Sequence, residues 1–165
     1  MASAEAPDID FIAWLAASHS AFPSLTTANC HRTSGKTWNY NCIAWAANCT
    51  RFAWWPSGDG FWPSRCRREV TLAAFIEVFG ALGYTKQTDD AWEPSRAKIA
   101  IFTDANGVPK HAARQISATH WTSKMGQDID ISHHLRSVEG PMYGSVRCVL
   151  ATKSGVKPLP GRTLH

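Results

Sequence analysis

A cysteine stands where a polar, turn-forming run meets an apolar, alanine-rich helix, in Asn39-Tyr40-Asn41-Cys42-Ile43-Ala44-Trp45-Ala46-Ala47. A helix start offers free N–H groups and the positive end of the backbone dipole. Both favour an anion, so the position predicts a Cys42 thiol that ionises more readily than usual. A thiolate with a nearby imidazole attacks amide and ester carbonyls. The candidate imidazole is His111, far downstream in Lys110-His111-Ala112-Ala113-Arg114-Gln115. In this reading Cys42 is the nucleophile and His111 the base, then the acid. The competing reading is a buried, inert cysteine and an ordinary strand histidine.

The elements needed to bring them together follow from spacing. Asp104-Ala105-Asn106-Gly107 and Ser117-Ala118-Thr119 are turn signals on either side of a strand from Pro109 to Ile116. Pairing Ile116 with His120 across the second turn sets Ala113 opposite Ser123 and His111 opposite Met125. Side chains alternate, so His111, Ala113 and Gln115 share a face with Trp121, Ser123 and Met125. Ser123 then lies diagonal to His111 and is the candidate orienter of its ring. A slip of one residue would bring Thr122 or Lys124 instead, and Asp104, Glu93 and Asp128 remain acids without an assigned place. The Cys42 N–H, aided by Asn41 or Asn39, is a candidate oxyanion hole, although asparagines there also serve as caps and turn formers.

The central helix is expected from about Cys42 to Cys49. An earlier helix starts at Pro7 and Asp8 and ends near Ser18 to Phe22. Residues 23–38 read as loop. Residues 69–82 carry Leu72, Phe75, Ile76, Phe79 and Leu82 on one helical face, closed by Gly83. Strands follow at 98–103, 109–116, 120–125 and 143–151, with a mixed stretch at 126–136 that admits a short helix. Between the helices, Trp54-Trp55-Pro56 and Phe61-Trp62-Pro63 flank a Gly58-Asp59-Gly60 turn. Together with Trp45, residues Trp54, Trp55 and Trp62 are expected either as one wall of a substrate cleft or as a lid on the core. The fold class is α+β: N-terminal helices packed on an antiparallel sheet. The chain divides into an N-terminal helix and loop (1–34), a Cys/His hydrolase-like domain (35–151) and a mobile tail (152–165).

Composition narrows the function. With 165 residues, 44% hydrophobic and 18% charged, the chain suits one folded domain. The net charge of +4 is scattered, and its densest run, Arg65-Cys66-Arg67-Arg68, is too short for a nucleic-acid stripe. Five cysteines at irregular spacing argue against a disulfide framework and a zinc ribbon. His133-His134 with Asp128 and Asp130 make a poor chelate on a helix, since adjacent residues diverge by about 100°. Ser123-Lys124 face opposite ways on a strand and do not form a dyad. Neither a metal nor a cofactor is expected, nor a nucleic-acid or membrane partner. The substrate is expected to be a peptide or protein-like amide. Without a signal-peptide pattern the expected location is the cytoplasm, or the outside by an effector route that needs no cleaved leader.

Several motifs then combine: Tyr40-Asn41-Cys42-Ile43-Ala44-Trp45-Ala46, Trp54-Trp55-Pro56, Phe61-Trp62-Pro63, Phe75-Ile76 with Leu82-Gly83-Tyr84, His111-Ala112-Ala113-Arg114-Gln115, Trp121-Thr122-Ser123-Lys124-Met125-Gly126 and Tyr143-Gly144. Over about residues 35–150 they resemble a small, mostly bacterial family of unknown function. The order of Cys-helix and His-strand is more distantly similar to papain-like cysteine peptidases, in particular the NlpC/P60 and CHAP amidases. That resemblance implies a papain-like architecture and a peptidase, amidase or deamidase activity, in housekeeping, toxin, effector or defence roles. A serine stands at the third position, where those families carry His, Asn, Asp or Gln. The alternative function is a non-catalytic protein-binding module presenting the Trp-rich loop 52–63.

Overall fold

A computed structural model describes residues 6–153. Seven strands form one antiparallel sheet: β1 (Cys30–Ser34), β2 (Tyr84–Gln87), β3 (Lys98–Thr103), β4 (Pro109–Gln115), β5 (Trp121–Lys124), β6 (Asp130–His133) and β7 (Ser145–Thr152). Their spatial order is β1-β6-β5-β4-β3-β7-β2. The helices are α1 (Ile9–Ala17), α2 (Cys42–Ala46) and α3 (Leu72–Ala81), with a 3₁₀ turn at Leu135–Val138. The chain is thus a mixed α+β protein, with helices flanking an antiparallel sheet.

Both sheet faces are covered, and the strand period sorts their residues. On one face Ile99, Ile101, Ala112, Cys148 and Leu150 pack with α2, α3 and the aromatic loop. On the other, Ala100, Phe102, Ala113, Trp121 and Ile131 pack with Phe11, Phe22, Leu25 and Tyr143. Because the central strands are covered on both sides, β3 reads as a continuous apolar run, Ile99-Ala100-Ile101-Phe102, without the alternation of a half-exposed strand.

Side-chain caps start each helix. Asp8 accepts from the Phe11 N–H at 3.0 Å, Asn41 from Ala44 at 3.1 Å, and Thr71 from Ala74 at 3.2 Å. Between α2 and α3 the aromatic loop forms part of the core. The Trp62 ring lies 5.1 Å from Phe75, Trp55 lies 5.5 Å from it edge-on, and Trp54 lies 4.9 Å from Phe61.

Four segments differ from the sequence expectation, one of them residues 84–87, which form β2 and pair with β7 where no strand is expected. The 126–136 stretch supplies a strand, β6, and no α-helix. Residues 30–34, expected as loop, form β1 and pair with β6, so this part of the 1–34 segment belongs to the sheet. The central helix is shorter than expected, ending at Ala46, with Asn48 at φ 61° just beyond. Of the proposed tail, Thr152 ends β7, and residues 154–165 lie outside the described residues.

Candidate functional site

The β4–β5 hairpin has the expected register. Arg114 faces Thr122 and Gln115 faces Trp121, with the Ile116 N–H bonded to the His120 carbonyl at 3.0 Å. Ser123 lies diagonal to His111, and their Oγ and Nε2 are 2.8 Å apart. The same hydroxyl is 2.7 Å from Nε2 of His133 on β6. His133 in turn uses Nδ1 toward the His134 carbonyl at 2.7 Å. All three side chains are completely buried. One atom of this chain of bonds has no partner: Nδ1 of His111. Its ring stacks on Tyr143 at 3.9 Å with an interplanar angle of 5°, and meets Phe102 edge-on at 5.3 Å.

Burial holds both histidines neutral. Desolvation, with the neighbouring His133 adding to it, drives the His111 imidazole well below its usual value. Desolvation likewise lowers His133 to about 4, although its bond to the His134 carbonyl opposes the shift. Burial of the Tyr143 phenol raises it well above its usual value.

Cys42 approaches this group from the α2 side. The β4–β5 ladder stops at Arg114–Thr122, although β4 runs back to Pro109 and β5 on to Lys124. The parted strands leave the Ala112 N–H without its cross-strand partner, and that N–H points at the Cys42 sulfur. The N–H groups of Cys42 and Ile43, together with the Lys124 cation, also favour a thiolate there. Burial outweighs them all and pushes the thiol up to about 11. The expectation of an easily ionised Cys42 is therefore overturned, because the helix start that stabilises a thiolate is also sealed from water. No hydrogen bond joins the Cys42 thiol to the His111 ring, whose Nδ1 is unpartnered. The sulfur meets β4 at Ala112, one residue along from His111.

The supporting residues are placed as follows. Asn41 has both ends of its amide engaged: Oδ1 accepts from Ala44 and Trp54 N–H groups, and Nδ2 donates to the Trp54 carbonyl at 2.8 Å. It ties the aromatic loop to α2 and keeps one of its two amide N–H donors uncommitted. Asn39 is exposed. Trp54 and Trp62 are 1% and 6% exposed and belong to the core. Trp55 is half-buried against Phe75. Trp45 is clasped between the Tyr40 ring at 5.7 Å and the Arg114 guanidinium at 4.3 Å, and its Nε1 donates to Thr122 at 3.3 Å. The three unplaced acids are all engaged elsewhere. Asp104 caps the β3–β4 turn, Glu93 pairs with Lys98 at 2.7 Å, and Asp128 accepts from the Ile129 N–H.

Sequence reasoning missed two groups here. The sequence offers His133 only as a metal ligand; its neighbour across the ladder is set by β6, which lacks a strand signature. Tyr143 enters the sequence reading as the start of a strand and as part of a motif with Gly144, without a place beside His111. A buried polar set also lies beside Cys42 on the α2 face. Asp130 accepts from Tyr40 and Ser34, each at 2.6 Å, and the buried Lys124 ammonium donates to the Asp128 carbonyl. No group of three or more His, Cys, Asp or Glu among the described residues is arranged to hold a metal ion. No described helix is long and apolar enough to cross a membrane. A groove of about 520 Å³ is lined by Phe52, Ala53, Asp59, Gly60 and Phe61, and neither Cys42 nor His111 is among its lining residues.

Fold and site together define a mixed α+β protein with a cysteine at a helix start and a buried His–Ser–His set on the sheet beneath it. Residues 31–151 match a family described as a domain of unknown function, DUF7689, and the chain belongs to that family. No curated protein matches the chain, and no solved structure does.

Proposed function

We propose that this protein is a papain-like thiol hydrolase, acting on an amide bond with Cys42 as nucleophile and His111 as base. The observation that carries the reading is the unpartnered Nδ1 of His111. A buried imidazole nitrogen without a hydrogen bond is costly, and the other nitrogen of the same ring is fixed by Ser123. Such a ring is oriented and ready to accept a proton, next to the strand residue whose N–H meets the Cys42 sulfur. The pair rests neutral. His111 takes the thiol proton as sulfur attacks the carbonyl, and returns it to the leaving amine. The N–H groups of Cys42 and Ala112 supply charge stabilisation near the sulfur. Peptidase, amidase and deamidase chemistry all share these steps.

The test is covalent labelling by a peptidyl acyloxymethyl ketone at pH 7, mapped by mass spectrometry. Cys42 is expected to label faster than the equally buried Cys49, and to slow by about 10²-fold or more in His111→Gln, the usual contribution of a general base. Labelling of Cys42 no faster than Cys49, or unaffected by His111→Gln, overturns the proposal.

A second reading, a protein-binding module on the aromatic loop, has one observation in its favour: the groove at Phe52 and Phe61. The burial of Trp54 and Trp62 removes the larger aromatic surface that this reading expected.

A further inference from the structure

Ser123 has one proton and two imidazole neighbours, so the direction of each bond is decided by what lies at the ends of the chain. At one end is the His134 carbonyl, which only accepts, and it is met by Nδ1 of His133 at 2.7 Å. His133 must therefore carry its proton on Nδ1. As a neutral ring, it then has a bare lone pair on Nε2. That lone pair takes the Ser123 hydroxyl proton across 2.7 Å. The Ser123 oxygen, having donated, accepts across 2.8 Å from Nε2 of His111. A neutral His111 with its proton on Nε2 exposes a lone pair on Nδ1, the one atom of the set without a partner.

We propose that His133, acting through Ser123, is the positioning residue that fixes the tautomer of His111, so that Nδ1 is held as the proton acceptor. The main-chain carbonyl of His134 thus decides, through two side chains, which nitrogen of His111 is basic. The catalytic consequence rests on the thiol-hydrolase reading, but the tautomers do not. With a neutral His133 in the place where a carboxylate orients histidine in a Ser-His-Asp triad, the set fixes direction without adding a negative charge. When His111 accepts a proton on Nδ1, no bond in the chain has to reverse. Nε2–H still donates to Ser123, and Ser123 still donates to His133.

Two histidines in opposite tautomers are directly measurable. Long-range ¹H–¹⁵N correlation on the uniformly labelled wild-type chain at pH 7 is expected to find His111 protonated on Nε2 and His133 on Nδ1. The signals are assigned by their loss in His111→Gln and His133→Phe. His111 protonated on Nδ1, or both rings protonated on the same nitrogen, overturns the proposal whatever Cys42 does. In His133→Phe the hydroxyl of Ser123 is released and can donate to His111. A folded variant is then expected to show His111 signals moving toward the Nδ1-protonated form, with Cys42 labelling slowed about 10²-fold. Unchanged His111 signals in that folded variant would show that His133 does not set the tautomer. If the wild-type tautomers are as proposed while Cys42 is inert to the ketone, the hydrolase reading fails and the tautomer assignment stands.

Discussion

Cys42 and His111 both lose water on folding, which disfavours the charged form of each, and this has a pH signature. The unfolded chain's thiol ionises near 9, whereas the folded one is held to about 11. Between those values the unfolded state carries fewer protons than the folded state, so stability falls as pH rises from 9 to 11. Two pH units correspond to about 3 kcal/mol for this group. Cys30 is also raised to about 11, so the difference between wild type and Cys42→Ala in urea titrations isolates the Cys42 share. Iodoacetamide modification of Cys42 should likewise keep accelerating toward pH 11. A plateau below pH 8 would mean that the amides and Lys124 outweigh burial. At this scale much of the site was legible: a period of two and a short turn are enough to put Ser123 against His111. The thiol's ionisation was not legible, since local sequence specifies the helix start but not how completely the aromatic loop, Tyr143 and the sheet close over it.

The short α2 holds its place through Asn41 more than through its own length. Five residues form too few turns to be stable alone. The asparagine supplies a cap to Ala44 and, across thirteen residues, a two-way bond to the Trp54 backbone. Removing it in Asn41→Ala leaves the Ala44 cap and both Trp54 backbone groups without that partner, and is expected to destabilise by about 2–3 kcal/mol. Asn41→Ser keeps a capping oxygen but cannot span to Trp54, so it should fall between Ala and wild type in thermal melts. A serine variant as stable as wild type would show that the loop staple contributes nothing. The elements legible in the sequence include those with a strong period, α3 and β3, those with turn chemistry, β4 and β5, and α1, α2 and β7. Those that sequence reasoning missed, β1, β2 and β6, are short and carry polar residues such as His31, Arg32, Lys86, Gln87, Asp130 and Ser132. Their polarity has a physical reason: β1 and β2 lie at the two sheet edges, and β6 devotes Asp130 and His133 to buried polar bonds. A strand used this way does not look apolar.

Across the whole molecule, enclosing the sheet on both faces puts two histidines in the interior, and the fold should be correspondingly sensitive to acid. His133 falls from 6.5 to about 4 on folding, and His111 moves in the same direction. Below pH 6.5 the unfolded chain takes up protons that the folded chain refuses, so stability is retained above 6.5 and lost as pH falls toward 4. For His133 alone, two and a half units amount to about 3 kcal/mol. That is a large share of the roughly 5–15 kcal/mol that a domain has in total. Urea unfolding at pH 7, 6, 5 and 4 should show this loss in wild type. His133→Phe is less stable at pH 7, because it leaves Ser123 and the His134 carbonyl short of a partner, but its curve against pH should be flatter by the His133 share. Equal slopes in the two proteins would mean that His133 already titrates in the folded state and that the second face of the sheet admits water. A flatter slope would establish that α1, Phe22 and Tyr143 close that face well enough to keep the His–Ser–His set dry, the condition under which its hydrogen-bond direction holds.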